Sequence, residues 1–273
     1  MNKLLFILAF IGIFSSTSAQ RIKKIITVKP KEITSIGVLP IESIIDIMKS
    51  KKENNPISQQ SKDKLAEIVS KSAKAGVDSF MRFINLPIKH VIVDSSVKKQ
   101  YIQELSSCIT FLQANQKESK SQLKQMIKNY KVPELILKTI KSSGERYGMI
   151  IMNLGFTRTS QSLSEFKIEQ QKQINRTAMG ISGGAIGGAI GYLTNKPGDS
   201  DGLPESGLGT YIAIIDSETE KIINCFLYDI NVIEPKTPNL KQVIYKYVLL
   251  PSFSDYWVWY YSEADKFMVF ERK

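Results

Sequence analysis

Between Ala178 and Leu193 the chain reads AMGISGGAIGGAIGYL, in which Gly180, Gly184 and Gly188 interleave with Gly183, Gly187 and Gly191. Each set is a G-x-x-x-G-x-x-x-G series. Residues four apart share a helix face, so this spacing lines one side with bare backbone that a second helix can approach closely. In water such a helix is weak: each interior Gly costs about 0.8–1 kcal/mol against Ala, and the six together about 5 kcal/mol. The segment therefore demands compensation from lipid or from a tightly packed neighbour. These six glycines are the candidate contacts to a membrane or to another subunit.

The chain opens MNKLLFILAFIGIFSSTSAQ, with a charge at Lys3, an apolar run from Leu4 to Phe14, and small Thr17 and Ala19 at the −3 and −1 positions of a cut. That is the pattern of a secretory signal peptide over residues 1–19, with a run too short to span a bilayer. The expected product is residues 20–273, one α/β domain carrying an insertion at 157–208. No Cys follows the cut, which closes lipid attachment at a new N-terminal Cys. The net charge of +11 comes mostly from Lys. For an exported chain it suits lipid head groups or cell-envelope polymers rather than nucleic acid, and an ordinary solvated surface accounts for it equally. Cys108 and Cys225 either pair in an oxidising compartment or stay as buried thiols.

Taken in order, RIKKIITVKPKE reads as an edge strand guarded by Lys. IGVLP (Ile36 to Pro40) is a first buried strand, and the following ESIIDIM begins as a short helix. From Ser61 a helical pattern places Leu65, Ile68, Val69, Ala73, Val77 and Phe80 on one face. IKHVIVD is a second strand. Amphipathic helices follow over 101–113, 119–130 and the PELILKTIKSSG stretch, which Gly144 ends. YGMIIMNLGF (Tyr147 to Phe156) is apolar almost throughout and so reads as a central strand. Beyond the insertion, Tyr211–Asp216 and Ile222–Val232 form two strands joined by a turn, then a helix around Leu240–Leu249. The end, SDYWVWYYSEADKFMVFERK, reads as a β-hairpin with Trp257, Trp259 and Tyr261 on one face. That face is the candidate surface for a ligand or partner, with packing on the domain as the plain alternative.

The expected fold is thus α/β (α+β): a mixed sheet of about five strands with flanking helices, a Gly-rich insertion and a C-terminal hairpin. IGVLP, then YGMIIMNLGF, then YIAIIDSETEKIINCFLYDI and a final helix resemble, in that order, the periplasmic domain of the curli-secretion channel family and related envelope lipoproteins. Two features depart from the family pattern: the lipobox Cys is absent, and Glu220 stands where the hairpin turn usually has Gly. The resemblance implies an exported, oligomeric, non-catalytic envelope component and brings no active-site residues with it.

The strand ending at Phe156 and the strand starting near Gly209 are expected in one sheet, so a single membrane crossing between them is excluded. The zipper, about 24 Å long as a helix, would only just reach across a thin bilayer. Three arrangements remain. The excursion enters lipid and returns, with Phe166 and Ile168 alternating on a second limb; or the zipper packs on protein; or it is a Gly-rich loop.

No catalytic constellation accompanies the single His, His90, and no phosphate loop, dinucleotide fingerprint or Cys/His metal spacing occurs. Asp199, Asp201 and Glu205 lack calcium-loop spacing, and Asp216, Glu218 and Glu220 read as a solvated hairpin tip. No cofactor or metal is expected. The expectation is an exported component, periplasmic or outer-membrane-associated, that is not an enzyme and self-associates or contacts membrane or other envelope proteins through its insertion. The alternative is a soluble periplasmic module that binds glycan or peptide on the aromatic hairpin.

Overall fold

The computed structural model describes residues 22–29, 32–115, 118–180, 206–230, 234–253, 257–262 and 267–272, with side chains described at 24–29, 32–115, 118–172, 206–227 and 234–253. The elements run β1 (Ile22–Ile26), β2 (Ile36–Val38), β3 (Glu42–Met48), α1 (Gln59–Phe83), β4 (Ile88–His90), α2 (Lys98–Ala114), α3 (Lys120–Asn129), α4 (Glu134–Ser142), β5 (Tyr147–Arg158), α5 (Ser160–Gly180), β6 (Gly207–Asp216), β7 (Lys221–Ile230), α6 (Leu240–Ile244), β8 (Trp257–Ser262) and β9 (Phe267–Arg272). The α6 helix runs on through a π-helical segment, Tyr245–Leu249, and a last turn, Leu250–Ser252.

The fold is α/β, and its mixed sheet has seven strands rather than about five: the order is β1-β7-β6-β5-β2-β4, with β3 also on β5. The Lys-bearing arm supplies one of the additional strands, β1, which pairs antiparallel with β7 at the sheet's edge. The other is β3, where the sequence pattern suggested a short helix. ESIIDIM is rich in β-branched Ile, and β5 runs far enough past β2 to give it a full parallel partner, Glu42↔Met152 to Met48↔Arg158. As expected, β5 is central. It pairs with β6 over ten residues on one side and with β2 and β3 on the other.

Two cores lie on the two faces of the sheet. On one, α1 and the C-terminal helix pack Val69, Val77, Phe80, Ile244 and Phe253 against Ile151, Ile212 and Phe226. On the other, α2, α3 and α4 bring Tyr101, Leu105, Leu123, Ile127 and Ile136 onto Ile150, Met152, Ala213 and Cys225. The near-continuous apolar run of β5 and β6 follows from this, since both faces are covered. Helix boundaries follow local chemistry. The Ser58 side chain caps α1 by accepting from the Ser61 amide, and Ser119 with Gln122 forms a capping box on α3. Gly144, at φ +77°, ends the α4 turn.

Candidate functional site

The root of the insertion is the best-defined functional feature. Phe156 and Gly207 face one another as the last pair of the β5–β6 ladder, so the chain leaves and returns at the same end of two adjacent strands. A single crossing between them is thereby excluded, as the sequence argument required. The excursion starts as α5, a 21-residue helix about 31 Å long at 1.5 Å per residue. The Thr159 hydroxyl accepts from the Ser162 amide to cap it, and the Thr159 amide donates to Met48 O at 2.9 Å. Its first turns are moored: the Arg158 guanidinium lies 4.7 Å over the Phe166 ring, and Ser50 Oγ donates to Glu165 at 2.6 Å. Beyond Phe166 the side chains of Lys167, Ile168, Glu169 and Lys172 are exposed. The reading of Phe166 and Ile168 as alternating residues of one limb is corrected here. They lie on a helix, Phe166 buried and Ile168 in solvent, because 100° per residue separates positions two apart.

Gly180 is the last residue of α5; Gly183, Gly184, Gly187, Gly188 and Gly191 lie outside the described residues, as do the carboxylates Asp199, Asp201 and Glu205. Among the described residues no helix is long and apolar enough to cross a membrane, and no cluster of three His, Cys, Asp or Glu is placed to hold a metal.

The C-terminal hairpin forms a two-stranded sheet separate from the seven-stranded one. Its register pairs Trp257 with Arg272, Trp259 with Phe270 and Tyr261 with Met268. Directly paired residues share a face, so these six positions form one face of the ribbon and Val258, Tyr260, Val269 and Glu271 belong to the other. Trp257, Trp259 and Tyr261 thus share one face by backbone register, as the alternation predicts.

A third feature was not anticipated. Past Val38 the β2–β3 chain spends one more residue than β5 before pairing resumes at Glu42, which is a bulge at Leu39–Ile41. Pro40 removes a ladder donor there, and its carbonyl accepts from the buried Tyr101 hydroxyl at 2.9 Å. The β2–β4 ladder ends with Val91 N donating to Val38 O, and the two chains part. A groove of about 800 Å³ opens between β3, α1, the 91–93 segment and the start of α2. This lies beyond the carboxyl ends of parallel strands, the usual place for ligands in α/β sheets. Its walls carry exposed Ile44 and Ile92, with Glu42, Ser43, Lys74 and Tyr101. Burial pushes the Glu42 carboxyl above its ordinary value, opposed by Lys98 at 4.0 Å. Burial likewise lifts the Tyr101 hydroxyl far above the usual phenol range. Behind the groove, Ser70 donates to Ser43 at 2.8 Å, Asn153 Nδ2 donates to Ser43 at 3.0 Å, and Thr210 donates to Asn153 Oδ1 at 2.9 Å. Pro40 after an apolar run marked the end of a strand in the sequence; nothing local marked the parting from β4.

No family model matches this chain, and no curated protein matches it. Solved structures do, among them two dodecamers of PelC from Paraburkholderia phytofirmans, one of them a point variant. The identities are 7% and 8%, the TM-scores 0.30 and 0.29, and the match covers 86% of this chain and 97% and 95% of those. Likeness this slight carries no inference about this chain.

His90, the last residue of β4, hydrogen-bonds Asp78 through Nε2 at 2.7 Å, and among the described residues no Ser or Thr hydroxyl is bonded to it. The carboxylates of the β6–β7 turn are dispersed among cations. Arg146 grips buried Asp216 with Nε and Nη2 at 3.0 and 2.8 Å and reaches Glu218 at 2.9 Å, while Lys141 takes Glu220 at 3.1 Å. Burial alone would raise the Asp216 carboxyl, but Arg146, the Glu218 amide and the Thr219 hydroxyl together hold it below the usual carboxylate range. Both cysteines are buried thiols outside any disulfide, Cys108 accepting from the Tyr130 hydroxyl at 3.4 Å.

Proposed function

We propose that this chain is an exported cell-envelope component that self-associates through the insertion rooted between β5 and β6, with a structural rather than catalytic role. The observation that supports it most is the root itself. A 21-residue helix, moored at Phe166 and exposed at Lys167, Ile168, Glu169 and Lys172, leads out of β5 toward the G-x-x-x-G series in sequence, and the chain returns at the adjoining strand. Each subunit thereby presents one small-residue face on a stalk, and several such faces pack around a common axis or, in lipid, within the bilayer. Membrane and partner proteins of the envelope are the two settings in which that packing replaces water.

The test compares the wild-type chain with the Gly184→Leu, Gly188→Leu double variant. Sedimentation gives the subunit number, and flotation with membranes after a high-salt wash gives retention. The reading expects an oligomer or a salt-resistant membrane-bound form in the wild type and its loss in the variant. A wild-type chain that is monomeric and stays out of the membrane fraction overturns it.

The second reading is a binding module that uses Trp257, Trp259 and Tyr261, and the separate β8–β9 ribbon favours it. A two-stranded hairpin is marginal by itself and needs something to cover an apolar face. Trp257→Ala with Trp259→Ala would then abolish binding of a glycan or peptide while leaving the assembly state unchanged.

A further inference from the structure

The positive charge of this protein is concentrated on one layer. Residues 98–142, which contain α2, α3 and α4, hold nine Lys and only three Glu, supplying six of the eleven net charges. Within that layer the stretch from Ser119 to Pro133 has four Lys and no acid. Lys120, Lys124 and Lys128 recur every fourth residue along the exposed side of α3, and Lys131 follows just past its C-cap. Among the described residues none of the four forms an ion pair, whereas the neighbouring Lys138 is held by Glu134 at 2.8 Å.

A solvated helix face is ordinarily laced with both signs. This one is arranged against the stability of its own helix. Lys120 occupies the first turn, where the helix dipole favours an anion, and the Lys residues at four-residue spacing repel one another. Even the capping box uses Gln122 where Glu would favour the dipole: Gln122 Oε1 accepts from the Ser119 amide at 3.1 Å. A cationic row of about 12 Å from Lys120 to Lys128 results, by the helix rise, with Lys131 beyond its end.

We propose that this row binds a linear polyanion, an acidic glycan bearing carboxylate groups along its chain. The chemistry of the face selects among anionic partners. A bilayer is disfavoured because the row has no apolar companion to bury in lipid: Leu123 and Ile127 are sealed in the core. A nucleic acid is disfavoured because, among the described residues, α3 itself carries no exposed aromatic ring beside its Lys row on which bases could stack. The aromatic ring nearest in sequence, Tyr130, is stacked on Phe111 with centroids 4.1 Å apart. Lys without Arg gives mobile point charges that follow charge density along a polymer rather than clasping a single group. The proposal does not depend on the insertion, so it applies to a monomer as well.

The experiment titrates the full exported chain with alginate, a polyuronate, in low salt and at increasing ionic strength. Vesicles of phosphatidylglycerol in phosphatidylcholine and a single-stranded oligonucleotide are run alongside. Replacing Lys120, Lys124, Lys128 and Lys131 by Gln is expected to weaken alginate binding by about tenfold or more and to flatten its salt dependence. Replacing Lys64, Lys74, Lys236 and Lys241 by Gln on the opposite layer removes the same charge and is expected to cost less than about threefold. Thermal melts of the two quadruple variants separate folding from binding: the Gln replacements on α3 remove the like-charge repulsion along its own row, so its thermal stability holds or rises as affinity falls. Equal losses in the two quadruple variants, no alginate binding by the wild type, or preference for vesicles or oligonucleotide each overturn the proposal.

Discussion

Gly148 is the point at which α4 comes closest to the central strand. A Cβ built there would stand 2.2 Å from Ile140 Cγ1, 2.4 Å from Cδ1 and 3.0 Å from Cγ2, and Ile140 is fully buried. Two of the three, Cγ1 and Cγ2, are fixed at the Cβ branch of Ile140 rather than at a flexible far end, so Gly148→Ala forces α4 outward or Ile140 off its rotamer. Overpacking of this kind costs about 1–3 kcal/mol, and the three contacts place the cost near the upper end. Ile140→Ala removes all three clashing atoms and alone costs about 3 kcal/mol, within the usual range for large-to-small changes in a core. In the double variant the methyl group added in place of the Gly148 hydrogen enters the space that Ile140 vacates. The combined cost is therefore expected at about 4 kcal/mol rather than the sum of about 6, a coupling of roughly 2 kcal/mol. Urea unfolding followed by far-ultraviolet circular dichroism gives all three values. In heat, Gly148→Ala should lower Tm by about 6–12 °C for a chain of this size. Additive costs, or a Gly148→Ala variant within about 0.5 kcal/mol of wild type, would refute close approach as the reason for glycine here.

Further outcomes follow from the same structure. Glu220 holds φ +57° in the β6–β7 turn. The left-handed conformation costs a non-glycine residue about 1–2 kcal/mol, and its ion pair with Lys141 is exposed, so Glu220→Gly is expected to be neutral to about 1 kcal/mol stabilising in a urea melt. A clear loss of stability would sink that account. Asp216 is depressed in the folded state, so its contribution is full above the unfolded value near pH 4 and is lost as pH falls through the folded value. Arg146→Gln should therefore flatten stability against pH below about 4, and an unchanged acid profile argues against the pairing. Glu42 is raised, so its ionised form burdens the fold at neutral pH. Glu42→Gln should raise Tm more at pH 7 than at pH 4, and equal shifts would contradict it. Burial pushes the Cys108 thiol up to about 11, and both cysteines are buried thiols, so neither is expected to react with a thiol reagent until the chain unfolds.

The local pattern carried most of the helices because their signals are local. Ser119 before a Lys-rich amphipathic run and Gly144 at its αL turn mark ends that depend on a few adjacent residues. The run YGMIIMNLGF announced a strand covered on both faces, and the departure at Glu220 from the usual Gly coincides with a left-handed residue. That Trp257, Trp259 and Tyr261 share one face of the ribbon likewise followed from alternation alone.

Tertiary structure decided the rest, since the deciding contacts lie far along the chain. ESIIDIM is a strand because the far end of β5, more than a hundred residues on, offers it a ladder, and an apolar run that short has no period of its own to choose with. The groove exists because a bulge at Pro40 parts β2 from β4, a matter of register between strands that no stretch of either one encodes. The Lys residues of α3 were visible as an excess from the beginning. That they form one row, on the layer remote from α1 and α6, depended on which helices the sheet collects on each face, and an amphipathic helix specifies only that its apolar side be buried, not against which face.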